Sequence, residues 1–144
     1  MQDSYCAAEF LLVDRDPNLS QFLAAYLSDR GHPCNASLEA EQALDWLGQN
    51  RCEVVVVDLE SQNGTATSLI ASVRAIDSHL PIVVLTENGC NEIQVRAAIR
   101  AGASGYFSKN LPREQLYCVL ARVLAAARYN ARRLRLQREL LGAA

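Results

Sequence analysis

Short apolar runs of four or five residues alternate along the chain with longer segments whose apolar positions recur every three or four residues, and turn-forming residues mark the junctions. FLLVD (10–14) reads as a first strand. Asp16-Pro17 then opens a helix, with Asp capping and Pro in the first turn, and Leu19, Phe22, Leu23, Tyr26 and Leu27 form its expected inward stripe until Gly31 and Pro33 stop it. Residues 34–37 make a weak second strand. A helix over 38–49 turns Ala40, Ala43, Leu44 and Leu47 inward, and EVVVVD (53–58) is the central strand. A third helix, 65–77, carries Leu69, Ile70 and Val73, after which Pro81 leads into IVVLT (82–86). A fourth helix over 91–100 ends at Gly102. SGYFSK (104–109) is a fifth strand, and a last long helix starts near Pro112.

Five strand–helix pairs, with unbroken β-branched runs at the third and fourth strands, predict a parallel sheet covered by helices on both faces, a doubly wound α/β fold. Such folds place their sites outside the carboxyl ends of the strands. The residues ending the strands here are Asp14, Asp58, Thr86 and Lys109. Two carboxylates, a hydroxyl and a lysine at one sheet edge suit phosphoryl transfer to a carboxylate. Asp58 needs no general base, because a carboxyl group of ordinary pKa, about 3.9, is already ionised at neutral pH. Repulsion is the obstacle, and it calls for a cation such as magnesium held by the neighbouring carboxylates and Lys109, with Thr86 donating to a phosphoryl oxygen.

Composition narrows the class further. The chain has 144 residues, half of them apolar, enough for one domain with a real core. No apolar run reaches the length of a membrane span and the first residues lack a signal-peptide layout, so a soluble cytoplasmic protein is expected, with no membrane partner. Five widely spread cysteines and two histidines offer no zinc-like spacing, and the cysteines are expected to be reduced and mostly buried. Cys90 has no evident cationic neighbour to activate it, and Trp46 is expected to serve packing. No Gly-rich phosphate loop follows the first strand, which argues against a flavodoxin-like cofactor binder.

Charge is uneven. Residues 1–111 hold seven Lys and Arg against fourteen Asp and Glu, and residues 112–144 hold seven Arg against two Glu. In the basic segment, Leu120, Leu124, Ala127, Ala131, Leu134, Arg138 and Leu141 follow spacings of four and three. That seam suits a signal helix or a dimer coil, and a solvated helical extension is the alternative. Arg128, Arg132, Arg133, Arg135 and Arg138 flank the seam without forming a DNA-reading element, so direct nucleic-acid binding is not expected.

Four motifs in order carry a family resemblance. LLVDRDP, VVVVDLES, IVVLTE and GASGYFSK resemble the acidic, phosphoacceptor, Thr-ended and lysine strands of receiver domains in two-component response regulators, over roughly residues 9–127. The resemblance implies a flavodoxin-like strand order 2-1-3-4-5, a receiver over 1–127 and a helical extension or linker over 128–144 toward an output domain. It implies Asp58 as phosphoacceptor, Asp14 as an acidic-pocket residue, Thr86 and Tyr106 as switch residues, and Lys109 as the phosphate-binding lysine. Magnesium would be held by Asp14, Asp58 and the Glu60 backbone carbonyl. The partners implied are a sensor histidine kinase or other phosphodonor, an output domain or protein, and a second copy. No turnover of an external substrate is expected.

Departures from the family pattern bear on the same site. Arg15 stands where the family has a second metal-binding acid, and Asp16, one place further on, is either a substitute or only the helix cap. Glu87 follows Thr86, where a small residue is usual. Arg15 and Glu87 are expected to be neighbours and could pair in the space that magnesium and phosphate would share. This leaves two readings open, a phosphorylated receiver and a pseudo-receiver acting as a phosphorylation-independent dimer or docking module. Tyr106 could equally be a core aromatic with its hydroxyl at the surface.

Overall fold

The unbroken valine run does what its pattern predicts: Val54–Asp58 (β3) is buried at every position and lies at the centre of a parallel sheet. The computed structural model describes residues 8–60, 66–87 and 92–142. Around β3 the chain forms β1 (Phe10–Val13), α1 (Pro17–Asp29), β2 (Cys34–Ser37), α2 (Ala40–Leu47), α3 (Ala66–Ile76), β4 (Ile82–Thr86), α4 (Glu92–Ala101), β5 (Gly105–Ser108) and α5 (Arg113–Gly142). The order across the sheet is β2-β1-β3-β4-β5, as expected, with every pair parallel.

Strand side chains alternate between faces, and that period of two splits the core into two layers. Leu11, Val13, Val55, Val57, Ile82 and Val84 pack against α2, α3 and α4 through Ala43, Leu69, Ile70, Val73, Val95 and Ala98. Phe10, Leu12, Val54, Val56, Val83 and Leu85 pack against α1 and α5 through Leu23, Leu27, Leu116, Leu120 and Leu124. Helices thus seal both faces, and the strand ends are what remains for chemistry. Trp46 is half-buried against the first layer, the packing role expected of it.

Local differences have local causes. Ser20 is buried on α1 while Phe22 is 37% exposed, its ring lying under the Arg113 guanidinium at 4.1 Å. The first helix therefore buries a narrower stripe than its apolar spacing predicts. Helix α2 begins at Ala40 and not at 38, with Leu38 exposed and its N–H donating to the Gln42 Oε1 at 3.1 Å. After α4, Gly102 adopts φ +125°, and a Cβ there would meet the Arg74 side chain at 2.9 Å, so both backbone and space require glycine. Cys34 and Cys52 are half-buried and Cys118 is exposed, so the expectation of mostly buried thiols fails at Cys118, which sits on the outer face of α5. Cys6 and Cys90 lie outside the described residues.

Helix α5 spans 30 residues, about 45 Å at 1.5 Å per residue, and runs unbroken through the expected boundary at residue 127. Its packing face ends in a charge. One turn after Leu124, Arg128 donates two hydrogen bonds of 2.8 Å to Glu53 and lies 3.4 Å from Glu9. Around and beyond it, Ala127, Ala131, Leu134 and Arg138 border a groove of about 460 Å³ whose other wall includes Leu80 and Pro81. Part of the seam expected for a dimer coil therefore faces the chain's own α3–β4 corner. Among the described residues no helix is long and apolar enough to cross a membrane.

Candidate functional site

The parallel register brings the four strand-end residues to one edge. Asp58 closes β3 opposite Leu85, and Thr86 closes β4 opposite Ser108. Asp14 follows β1, held by its N–H donating to the Ser37 carbonyl at 3.1 Å, and Lys109 follows β5, its N–H donating to the Thr86 carbonyl at 2.8 Å. Asp14, Asp58 and Thr86 are all buried. The sheet thus assembles, from residues 95 positions apart in sequence, the cluster that strand ends alone predicted.

Lys109 Nζ donates to Asp58 Oδ2 at 2.9 Å, and both side chains are largely shielded. Burial alone would lower the lysine pKa, but the hydrogen bond and charge of Asp58, backed by Asp14 and Glu87, raise it above its ordinary value and keep it cationic. Asp58 Oδ1 is buried with no hydrogen-bond partner. One lysine therefore meets two acids. Asp14 shows the consequence: burial first, then the nearby Asp58 carboxylate, push it up to about 6 from 3.8, even though its Oδ1 accepts the Asp16 N–H at 2.8 Å.

The family model described as the response regulator receiver domain matches residues 10–121. The chain belongs to this family. It is 31% identical over 123 residues to the virulence transcriptional regulatory protein PhoP of Salmonella typhimurium, covering 84% of this chain and 52% of that protein. It is 26% identical over 114 residues to the transcriptional regulatory protein GlrR of Escherichia coli, covering 79% of this chain and 26% of that protein. The chain thus spans between a quarter and a half of these relatives. NtrX from Brucella abortus superposes with a TM-score of 0.80 over 91% of this chain and 30% of that one, at 26% identity. A CheY-like receiver from Methanospirillum hungatei, at 16% identity and a TM-score of 0.78, covers 87% of this chain and 99% of that one and shares the fold.

Within this receiver the unusual charges take other partners than expected. Arg15 reaches Glu39 at 3.7 Å on the exposed side, while the Glu87 carboxylate lies 3.6 Å from Lys109 Nζ. The expected Arg15–Glu87 pair is replaced by these two, because Arg15 follows β1 on the side where α2 begins. Asp16 caps α1, accepting the Asn18 N–H at 3.0 Å, and its exposed side chain is committed to that role. Tyr106 is 52% exposed and borders a groove of about 380 Å³ with Val95, Arg96 and Ile99 of α4, which excludes the core-aromatic reading.

Glu60 is the residue whose part the sequence concealed. Expected to offer its backbone carbonyl, it also places its side-chain Oε1 3.1 Å from the Glu87 N–H. Burial raises its pKa, an effect the Glu87 hydrogen bond opposes and the Asp58 charge reinforces. Nothing in the spacing of residues 60 and 87 signals this contact.

The donor set suits a small hard cation. The orphaned Asp58 oxygen and neighbouring Asp14 supply two carboxylates, oxygen ligands of the kind magnesium prefers. Among the described residues no group of three or more His, Cys, Asp and Glu side chains could hold a metal, so carboxylates alone would supply fewer ligands than a dedicated cage.

Proposed function

We propose that this receiver accepts a phosphoryl group on Asp58 in a two-component pathway and passes the change to an output through β5 and α4. One observation carries the reading: Lys109 holds one buried Asp58 oxygen at 2.9 Å while the other has no partner and Asp14 crowds it. Buried carboxylates in such a state are unfavourable to a fold unless they serve chemistry.

In the reaction an Asp58 carboxylate oxygen attacks the phosphorus of a phosphodonor, a P–O bond to the carboxylate forms, and the bond to the leaving group breaks. The leaving group departs with the electron pair, as a carboxylate from an acyl phosphate or, from a phosphohistidine, as an imidazole whose proton comes from solvent. Lys109 stays charged throughout and turns from Asp58 toward the new phosphoryl oxygens. Bound at Asp14, Asp58 and the Glu60 carbonyl, magnesium would supply positive charge between the phosphoryl oxygens and the carboxylates.

A sensor histidine kinase as donor and a transcriptional output fit the relatives, which are transcriptional regulators longer than this chain. Helix α5 is the connection suited to such an output, and its remaining apolar seam suits a second copy. Incubation with acetyl phosphate and magnesium, read by intact mass, tests the reading. One phosphoryl adduct is expected, absent in Asp58→Asn. No adduct in the unaltered protein would favour a pseudo-receiver that works by docking alone.

A further inference from the structure

Among the groups at the β4–β5 side of the strand-end edge that could receive a phosphoryl oxygen are the Lys109 ammonium and the Glu87 N–H. Both already hold carboxylates of this chain. Glu60 Oε1 accepts the Glu87 N–H at 3.1 Å, and the Glu87 carboxylate stands 3.6 Å from Lys109 Nζ. The Glu87 amide is the first donor past the end of β4, and β4 pairs with β3 at Asp58, so it borders the acceptor. From the structure we infer that Glu60 and Glu87 form an acidic latch, with the Glu60 carboxylate occupying the backbone donor that a phosphoryl oxygen on Asp58 would use. This inference rests on Asp58 as acceptor and assigns the regulation of that site.

The physical basis is competition between like-charged groups. A backbone N–H satisfies one strong acceptor at a time, so a phosphoryl oxygen must displace Glu60 to gain that hydrogen bond. Until it does, the Glu60 charge also repels the incoming anion, and so does Glu87 beside Lys109. The Glu87 side chain is 63% exposed and free to swing into solvent, whereas Glu60 is the better shielded of the pair and governs entry. A partner that drew the Glu60 carboxylate away with a lysine or arginine would open the site, which makes the latch a means of favouring a cognate kinase over small phosphodonors.

The test compares the unaltered protein with Glu60→Ala and with Glu60→Gln, which keeps an acceptor oxygen without the charge. Two quantities are read: the rate of adduct formation with acetyl phosphate at saturating magnesium, and the NMR shift of the Glu87 amide on titration with inorganic phosphate. Glu60→Ala is expected to speed adduct formation about tenfold and to let the Glu87 amide shift with phosphate, while Glu60→Gln falls between. Equal rates in all three proteins would overturn the latch, and so would a Glu87 amide that ignores phosphate in Glu60→Ala. If no protein forms an adduct, the phosphoacceptor reading falls and the latch falls with it, whereas adducts formed at equal rates in all three overturn the latch alone.

Discussion

The two edges of the sheet treat their charges in opposite ways. At the edge where the strands begin, Arg128 binds Glu53 through two 2.8 Å hydrogen bonds and approaches Glu9, and Glu9 in turn lies 2.6 Å from His32 Nδ1, whose other nitrogen is 3.3 Å from the Tyr117 hydroxyl. Each charge there has a partner. At the edge where the strands end, two buried acids share one lysine and one carboxylate oxygen has no partner at all. The pKa directions mirror the contrast: the Arg128 hydrogen bonds lower Glu53, whereas burial and Asp58 push Asp14 up to about 6. Charges that hold the fold are satisfied within it, whereas those at the candidate site are left in conflict.

Removing the lysine should break this comparison most severely. Lys109→Ala leaves Asp14 and Asp58 facing each other without a cation, and an expected loss of about 3 kcal/mol would appear in urea unfolding. Adding Asp58→Asn to it should recover much of that loss, because the uncompensated charge disappears with it.

Relieving the conflict should have a smaller effect of opposite sign. Below 3.8 both folded and unfolded states carry the Asp14 proton, and between 3.8 and about 6 the unfolded state releases it first, so rising pH costs the fold stability through that window. Asp14→Asn is expected to stabilise the protein by about 2 kcal/mol at pH 7 and to flatten this dependence, as measured by melting temperature across pH.

Smaller again is the structural edge. Arg128→Ala should cost about 0.5–1 kcal/mol, because the pair is near half-exposed, and raised salt should shrink the difference. Glu53 has a depressed pKa, so its share is present above the ordinary carboxylate range and is lost as pH falls through the lowered value. Least of all should follow from Arg15→Ala, whose exposed contact with Glu39 predicts a change in magnesium affinity within about twofold.

Most of the frame was legible in the sequence. β-Branched runs declared β3 and β4, Asp16-Pro17 declared the start of α1, and a parallel sheet then required Asp14, Asp58, Thr86 and Lys109 to meet. Hidden were the side-chain directions within that meeting. Arg15 and Glu87 follow the ends of β1 and β4 on either side of β3, which suggests a pair, but a long side chain chooses among several neighbours, and Glu39 and Lys109 lie against them. Glu60 and the Glu87 amide meet across 27 positions through a backbone donor, which no residue type advertises. Cys118 departs from expectation for a related reason, since apolar character does not fix which face of a helix meets solvent.

The account stands most directly on where the phosphoryl group goes. After reaction with acetyl phosphate and magnesium, borohydride reduction converts an aspartyl phosphate to homoserine, which tandem mass spectrometry locates. Homoserine at position 58 and nowhere else, absent without the phosphodonor, is the predicted result. Homoserine at Asp14 or another aspartate, or none with intact folded protein, would contradict it.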